Sequence, residues 1–223
     1  VRSRGLGDVY KRQIPDSVTK LGSNSFSFSD NYSNDLPSLT KVSLPSELQS
    51  TSSPFYGQKN LKEVELRGNW KTIPSWLFSG TGIEKLVIPE GVTEIGADAF
   101  SGSSLKEVVL PSTLTQIGSY AFNGTQLRDI TLPTSVTAIG SGAFGSIDSL
   151  SSVVIPKNLS DAYRAFEGSQ HLKTIHFEEG ITKIASGLFK GSGISSITIP
   201  KTVTEIGYEA FHNTKITELY IPD

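Results

Sequence analysis

Carboxylates, histidines and a glycine-rich run are the residues of this chain whose types and spacing suggest chemistry. The stretch IPEGVTEIGADAFSG, Ile88 to Gly102, holds acidic side chains close to glycines. After 22 residues the chain reads LPSTLTQIGSYAFNG, and after 22 more LPTSVTAIGSGAFGS, so the acids are exchanged while the apolar frame stays. Because a catalytic motif is not expected to recur at a fixed pitch with its polar residues exchanged, this pattern favours packing over catalysis.

A second candidate is the segment GSGAFG, residues 140–145, which fits the pattern of a dinucleotide-binding turn. It lies in register with the repeated frame IGxxAFxG and no βαβ unit surrounds it, so we interpret it as part of the repeat. The three histidines, His171, His176 and His212, form no metal-binding motif and are expected to be solvated. The sequence therefore predicts no catalytic residue, metal or cofactor.

Composition excludes further classes of function. The 223 residues carry a net charge of −2, and no basic block occurs outside the opening segment 1–13, so a nucleic-acid partner is not expected. No apolar run approaches the length of a membrane-spanning helix, so membrane insertion is not expected either. The absence of cysteine excludes disulfides and thiolate metal sites.

The opening segment VRSRGLGDVYKRQ, residues 1–13, matches no part of the repeat and holds 4 of the 20 basic residues. It resembles translated adapter read-through, and we expect residues 1–13 to be a non-native or disordered leader. Residues 14–223 are predicted to form a single solenoid, irregular over 14–66 and regular over 67–223. Because the chain has no methionine, we expect it to be a fragment of a longer protein.

The repeat is marked by a proline that closes each strand-like segment. From residue 45 onward the interval is 22, with one interval of 23; the first interval is 30, and its extra residues are expected in a longer loop within 24–38. The proline positions, with Arg67 and Glu178 in two of them, are Pro15, Pro45, Arg67, Pro89, Pro111, Pro133, Pro156, Glu178, Pro200 and Pro222.

Apolar residues keep fixed offsets from this proline. Aliphatic residues six, three and one positions before it predict a strand with alternate side chains inward, as in Leu105, Val108 and Leu110. A phenylalanine follows about eleven positions after it, giving a predicted spine from Phe78 to Phe211. Glycines after isoleucine, as at Gly140, suit a backbone turn, and glycines two residues after the phenylalanine suit the end of one helical turn. One coil cannot bury enough apolar surface to fold alone, so stacked coils with parallel strands are expected.

The frame LKEVVLPSTLTQIGSYAFNG, residues 105–124, resembles the BspA-like, or Treponema-type, leucine-rich repeat. The resemblance covers residues 14–223, but the usual cysteine is replaced by serine or threonine, as at Ser103 and Thr125. It implies a mostly β, α/β-type solenoid: a right-handed coil of about 22 residues per repeat with a parallel sheet on its concave face. It also implies a cell-surface or secreted adhesion module that binds a protein, with a host surface or matrix protein as one candidate partner.

Outward residues of the strands are the predicted binding site. Between the two inward positions lies a column that is almost free of formal charge, and beside it run residues that are mostly acidic in the first half, such as Glu63 and Glu107. A broad and mildly apolar strip beside acidic residues is typical of protein-binding surfaces, although β-branched residues also simply suit strands. The predicted binding residues are Val87, Val109, Thr131, Val154, His176, Thr198 and Tyr220.

Two other functions stay open at this point. Coils of similar length build parallel β-helix enzymes that act on carbohydrates, although Glu65 is the one charged residue in the outward column. A structural spacer without a ligand is the other alternative. Trp70 and Trp76 lie in an atypical coil, where we expect packing, with Trp70 the more exposed of the two.

Overall fold

The computed structural model describes residues 11–26, 39–50 and 52–221. Within these ranges a coil typically contributes a main strand of three to five residues and then a second strand of two residues. The main strands are β1 Lys11–Gln13, β3 Lys41–Pro45, β5 Glu63–Arg67, β7 Lys85–Val87, β9 Glu107–Val109, β11 Asp129–Thr131, β13 Ser152–Ile155, β14 Thr174–Phe177, β16 Ser196–Thr198 and β18 Glu218–Tyr220. The second strands are β2 Lys20–Leu21, β4 Gln49–Ser50, β6 Thr72–Ile73, β8 Glu94–Ile95, β10 Gln116–Ile117, β12 Ala138–Ile139, β15 Lys183–Ile184 and β17 Glu205–Ile206.

Strands of successive coils pair in parallel, which confirms the predicted solenoid. The register follows the repeat: Lys85 lies opposite Glu107 and Thr72 opposite Glu94, in each case one repeat further along the chain. The first main strand, β1, comes from the stretch predicted to be a leader and pairs with β3 over residues 11–13. Residues 1–10 and most of the predicted long loop lie outside the described residues, so the domain division stays a prediction.

Neither ladder of strands is continuous from end to end. The main ladder is interrupted between β5 and β7, between β9 and β11, and between β14 and β16. The second ladder is interrupted between β4 and β6. It is interrupted again between β12 and β15, where a single bridge joins Ala138 of β12 to Asp161 and no pairing continues from Asp161 to β15. At each of these five boundaries the other ladder is paired, so within the described residues the interruptions of the two ladders never coincide.

A stack of phenylalanine rings fills the middle of the solenoid. Neighbouring rings of the stack have centroids 5.1–6.4 Å apart and planes within 23° of parallel. The stack confirms the predicted spine and extends it by two rings, Phe26 and Phe55, before Phe78. Its members in the described residues are Phe26, Phe55, Phe78, Phe100, Phe122, Phe144, Phe166, Phe189 and Phe211.

The glycines that follow isoleucine begin hydrogen-bonded turns, as predicted, since the carbonyl oxygen of Gly140 accepts from the Ala143 N–H at 3.2 Å. They also allow close approach between coils, which is the reason that glycine is needed there. A Cβ on Gly140 would lie 2.3 Å from the backbone nitrogen of Ser119 in the preceding coil, and φ there is not positive. Its N–H donates to the carbonyl oxygen of Ile117 at 2.7 Å. Ala185 takes this position where the second ladder is interrupted, and its N–H makes no such bond in the described part of the chain. The glycine therefore lets neighbouring coils reach hydrogen-bonding distance.

The described residues contain no helix, and hydrogen-bonded turns stand where the sequence predicts a helical turn. The turns end at glycines with positive φ, such as Gly102 at 63° and Gly124 at 64°. At the position where cysteine is usual, the buried Thr125 hydroxyl donates to the carbonyl oxygen of Phe122 at 2.8 Å. The hydroxyl of Ser103, in the same register, is buried and has no partner in the described structure. Threonine therefore suits this position better than serine, because its hydroxyl is satisfied within its own turn.

Candidate functional site

The outward side of the main ladder, called the main face below, carries the seven residues predicted to bind. Successive side chains of a strand point to opposite faces, so the neighbours of these residues pack in the core while these side chains face solvent. Val87 is 66% exposed, Val109 58% and Tyr220 66%, while Val154 is half-buried. The structure therefore confirms the outward placement of this central column, defined as Val87, Val109, Thr131, Val154, His176, Thr198 and Tyr220.

Strand pairing brings the column together in three groups. Val87 lies opposite Val109, and Thr198 lies opposite Tyr220. Thr131, Val154 and His176 form the middle group, each directly opposite the next. The two intervals between groups coincide with interruptions of the main ladder. The column is thus an ordered surface whose side chains are spaced at about 4.8 Å within each group.

Ion pairs flank the column near the N-terminal end of the main face. Nζ of Lys41 lies 2.6 Å from Glu63, and Nζ of Lys85 lies 2.8 Å from Glu107, in each case one coil apart. Glu63 and Glu107 are therefore each matched by a lysine on the preceding coil, whereas Asp129 accepts hydrogen bonds from the hydroxyls of Ser151 and Ser152. Charges of both signs on a rim favour orientation of a partner more than affinity.

Glu84 is the most strongly perturbed acid of this rim. Its two carboxylate oxygens accept hydrogen bonds from Lys106 at 2.7 Å and Lys62 at 2.8 Å. These bonds, with the positive charges that make them, lower the pKa of the Glu84 carboxyl from 4.5 to about 2. The structural role of Glu84 is to hold three successive coils in register on the main face.

Acid should therefore weaken the protein through Glu84. Because its folded pKa is lowered, its contribution to stability is full above pH 4.5 and is lost as the pH falls toward about 2. We expect a carboxyl NMR titration to show Glu84 ionised at pH 3.5, between those two values. High salt should raise its midpoint by screening the lysines, and a midpoint of 4.5 at low salt would contradict the pairing.

An open groove of about 740 Å³ lies at the C-terminal end of the main face. Two residues of the central column, Thr198 and Tyr220, line it together with Lys173, Thr174 and Glu218. The groove lies in the part of the face where no ion pairs join neighbouring main strands in the described residues. Its wide opening suits an extended surface contact better than a small enclosed ligand.

The other chemical candidates are placed by the structure as follows. His171, His176 and His212 are all exposed, and no group of three or more potential metal ligands occurs in the described part of the chain. The segment 140–145 packs as a repeat turn, with its phenylalanine fully buried. The predicted packing is confirmed for Trp70, which is 1% exposed, but the predicted order of exposure is wrong, because Trp76 is 41% exposed. Trp70 stands three residues after the proline position of its coil, where other coils place a buried aliphatic residue.

The described residues include no helix with the length and hydropathy needed to cross a membrane. The model of the BspA type leucine rich repeat region matches the sequence in six copies, over residues 8–125, 71–191 and 115–223. No curated protein matches the sequence.

Solved structures of similar fold come from bacteria. A leucine-rich repeat protein from Eubacterium ventriosum is 22% identical with a TM-score of 0.56, over 93% of this chain and 65% of that protein. A leucine-rich repeat protein from Bacteroides ovatus is 19% identical with a TM-score of 0.54, over 98% and 70%. The pneumococcal vaccine antigen PcpA is 18% identical with a TM-score of 0.56, over 100% and 74%. This chain thus spans less than two thirds of the first of these proteins, and the likeness shows the fold alone.

Proposed function

The chain belongs to the BspA type leucine-rich repeat family, and on that premise we propose that it is a non-catalytic module that binds a protein partner through the central column. The observation that carries this proposal is the exposure of Val87, Val109 and Tyr220 in one ordered column. Valines suit strands in any case, but side chains as exposed as these also offer the apolar area that the core of an interface buries. Strand pairing already orders the backbone of the main face, so binding a partner would cost little further conformational entropy.

The partner we propose is a host surface or matrix protein, met by a bacterial protein that is displayed at the cell surface or secreted. The family resemblance supports this location, and a protein named as a pneumococcal vaccine antigen shares the fold. The ion-pair rim beside the column fits a partner with charges of both signs, because such a rim orients the encounter. The column itself would form the desolvated centre of the contact.

The test is a binding assay of the purified chain on an array of host matrix proteins, repeated with Val109→Lys and Val154→Lys. Each lysine would bring an unpaired charge into the centre of the contact, so we expect binding to weaken roughly 30-fold or more per variant. Both sites are on the outward side, so thermal unfolding should be unchanged. Thr72→Lys is the matched control, because Thr72 is an exposed strand residue of the second ladder.

Two outcomes would contradict the proposal. If a captured matrix protein binds both lysine variants as tightly as the wild type, the central column is not the contact surface. If no matrix protein binds the wild-type chain, the role of a spacer is favoured. Hydrolysis of a glycan by the purified chain would instead support an enzyme on this scaffold.

A further inference from the structure

A second groove lies on the opposite strand ladder, away from the central column. It has a volume of about 390 Å³ and runs across four coils, from Glu94 to Asp161. We propose that this groove, called the second-face groove below, binds a short stretch of a neutral linear glycan, with Tyr163 as the ring on which a sugar stacks. The proposal is independent of the protein partner, because it concerns a different face. The polar and aromatic residues that line the groove are Glu94, Gln116, Ser119, Ser141, Asp161 and Tyr163.

The floor of the groove is smooth because two of its residues have no side chain. Gly118 and Gly140 line it at places where successive coils approach closely. The isoleucines beside them, Ile117 and Ile139, are each 2% exposed, so their side chains point into the core. A ligand can therefore lie flat along the coils over several repeats without meeting a large side chain.

Tyr163 is held in place at one end of the groove. The guanidinium carbon of Arg164 lies 5.1 Å from the centre of the Tyr163 ring, a cation–π contact. Arg164 is fixed in turn by Glu167 at 3.6 Å and Glu209 at 3.9 Å. The ring nevertheless stays 47% exposed. An aromatic ring that is exposed and already oriented needs little ordering when a ligand stacks on it.

The polar groups of the groove are free to bind a ligand. The side chains of Gln116, Ser119, Ser141 and Asp161 make no hydrogen bond to other described residues, although their backbones do. Hydroxyl, amide and carboxylate groups together both donate and accept, as the hydroxyls of a sugar require. The charged residues of the lining, Glu94 and Asp161, are acids, which disfavours an anionic ligand. An aromatic ring beside such groups suits the apolar face and polar rim of a neutral sugar.

A second aromatic ring points to a linear ligand. Tyr208 occupies the same turn position as Tyr163 two coils further on, since each precedes a residue with positive φ, Arg164 or Glu209. It is 76% exposed. Two coils correspond to about 10 Å along the solenoid, which is about the length of a disaccharide unit in an extended chain. A glycan of several sugars would thus reach both rings.

A proline-rich peptide is the other ligand that aromatic rings at this interval suggest, because one turn of polyproline II measures about 9.3 Å. Such peptides need notches between the rings for the proline side chains. Here the intervening coil carries Gly187, and the Cγ of Arg164 lies 2.9 Å from where a Cβ on Gly187 would be. The residue of this coil that matches Tyr163 and Tyr208 is Ser186, and Arg164 covers Gly187 next to it. This narrows any notch beside the two rings and favours a flat sugar chain.

The experiment is isothermal titration of the whole chain with cellohexaose, xylohexaose and laminarihexaose, and with a proline-rich decapeptide. We expect at least one glycan to bind in the millimolar range or tighter, and Tyr163→Ala to weaken it roughly five- to tenfold. Tyr56→Ala is the matched control, because Tyr56 is 56% exposed and does not line the groove. Thermal unfolding should be the same for both variants, since both tyrosines are exposed.

Three results would overturn the proposal: no binding of any of the three glycans at millimolar concentration, equal binding by Tyr163→Ala and wild type, or binding of the peptide alone. A bound glycan that is weakened by both Tyr163→Ala and Tyr208→Ala would support a linear ligand across both rings. Val109→Lys and Val154→Lys should leave glycan binding unchanged. The failure of one proposed surface is therefore distinguishable from the failure of the other.

Discussion

Replacing Phe122 with alanine should lower the free energy of unfolding by about 3–5 kcal/mol. The ring is fully buried and lies between Phe100 and Phe144, with centroids 5.2 and 5.1 Å away. Its loss removes buried apolar surface and leaves a cavity that the strand pairs on both sides keep from collapsing. Urea unfolding followed by circular dichroism would measure the change in the free energy of unfolding.

The control is the same substitution at the end of the stack. Phe211 is half-buried and packs on a single described ring, Phe189, at 5.7 Å. Because solenoid stability comes from contacts between neighbouring coils, Phe211→Ala should cost less than half as much as Phe122→Ala. Equal losses at the two positions would contradict the stacked arrangement.

An alanine in place of Gly140 should cost about 2–3 kcal/mol, although it adds a single carbon. That carbon would lie 2.3 Å from the backbone nitrogen of Ser119, so the two coils must move apart. The bond from the Gly140 N–H to Ile117 would then lengthen or break. Denaturant unfolding gives the cost, and faster hydrogen exchange of the residue 140 amide would report the local opening.

Gly124→Ala separates this effect from backbone strain. Gly124 has φ of 64°, and nothing lies within 4 Å of where its Cβ would be. Alanine there meets a rarely adopted conformation but no obstacle, so the expected cost is about 1 kcal/mol. If Gly124→Ala proves the more damaging of the two variants, backbone conformation rather than close approach is the reason for these glycines.

The repeat is readable from sequence because its period fixes which side chains face inward. An aliphatic residue at a constant distance from each proline predicts a parallel ladder, and the strands pair one repeat apart as this requires. The spacing does not single out Phe55, because another aromatic residue, Tyr56, occupies the expected position and Phe55 stands one residue earlier, as Phe166 does in its own coil. Trp70 lies three residues after the proline position of its coil, an offset at which side chains point inward. Because Arg67 replaces the proline of this coil, the offset is hard to recognise from the sequence.

Contacts between coils are harder to foresee than contacts within one coil. The role of Gly140 depends on how close the next backbone comes, which no single repeat encodes. The outward placement of Val87 and Val109 follows from alternation along the strands. The pairing of lysines with glutamates appears only when residues one repeat apart in the sequence are compared. The second-face groove arises from four coils together, and Tyr163 carries no signal in its own sequence neighbourhood that separates it from other exposed tyrosines.

The staggered interruptions of the two ladders have a mechanical consequence. Where one ladder is open, as between β5 and β7 or between β12 and β15, the other is closed, and a phenylalanine contact crosses the same boundary. The interruptions of the two ladders are therefore offset from each other along the solenoid. When the body is pulled along its axis, every boundary between described coils is held by at least one ladder, so we expect the body to resist stretching as one unit.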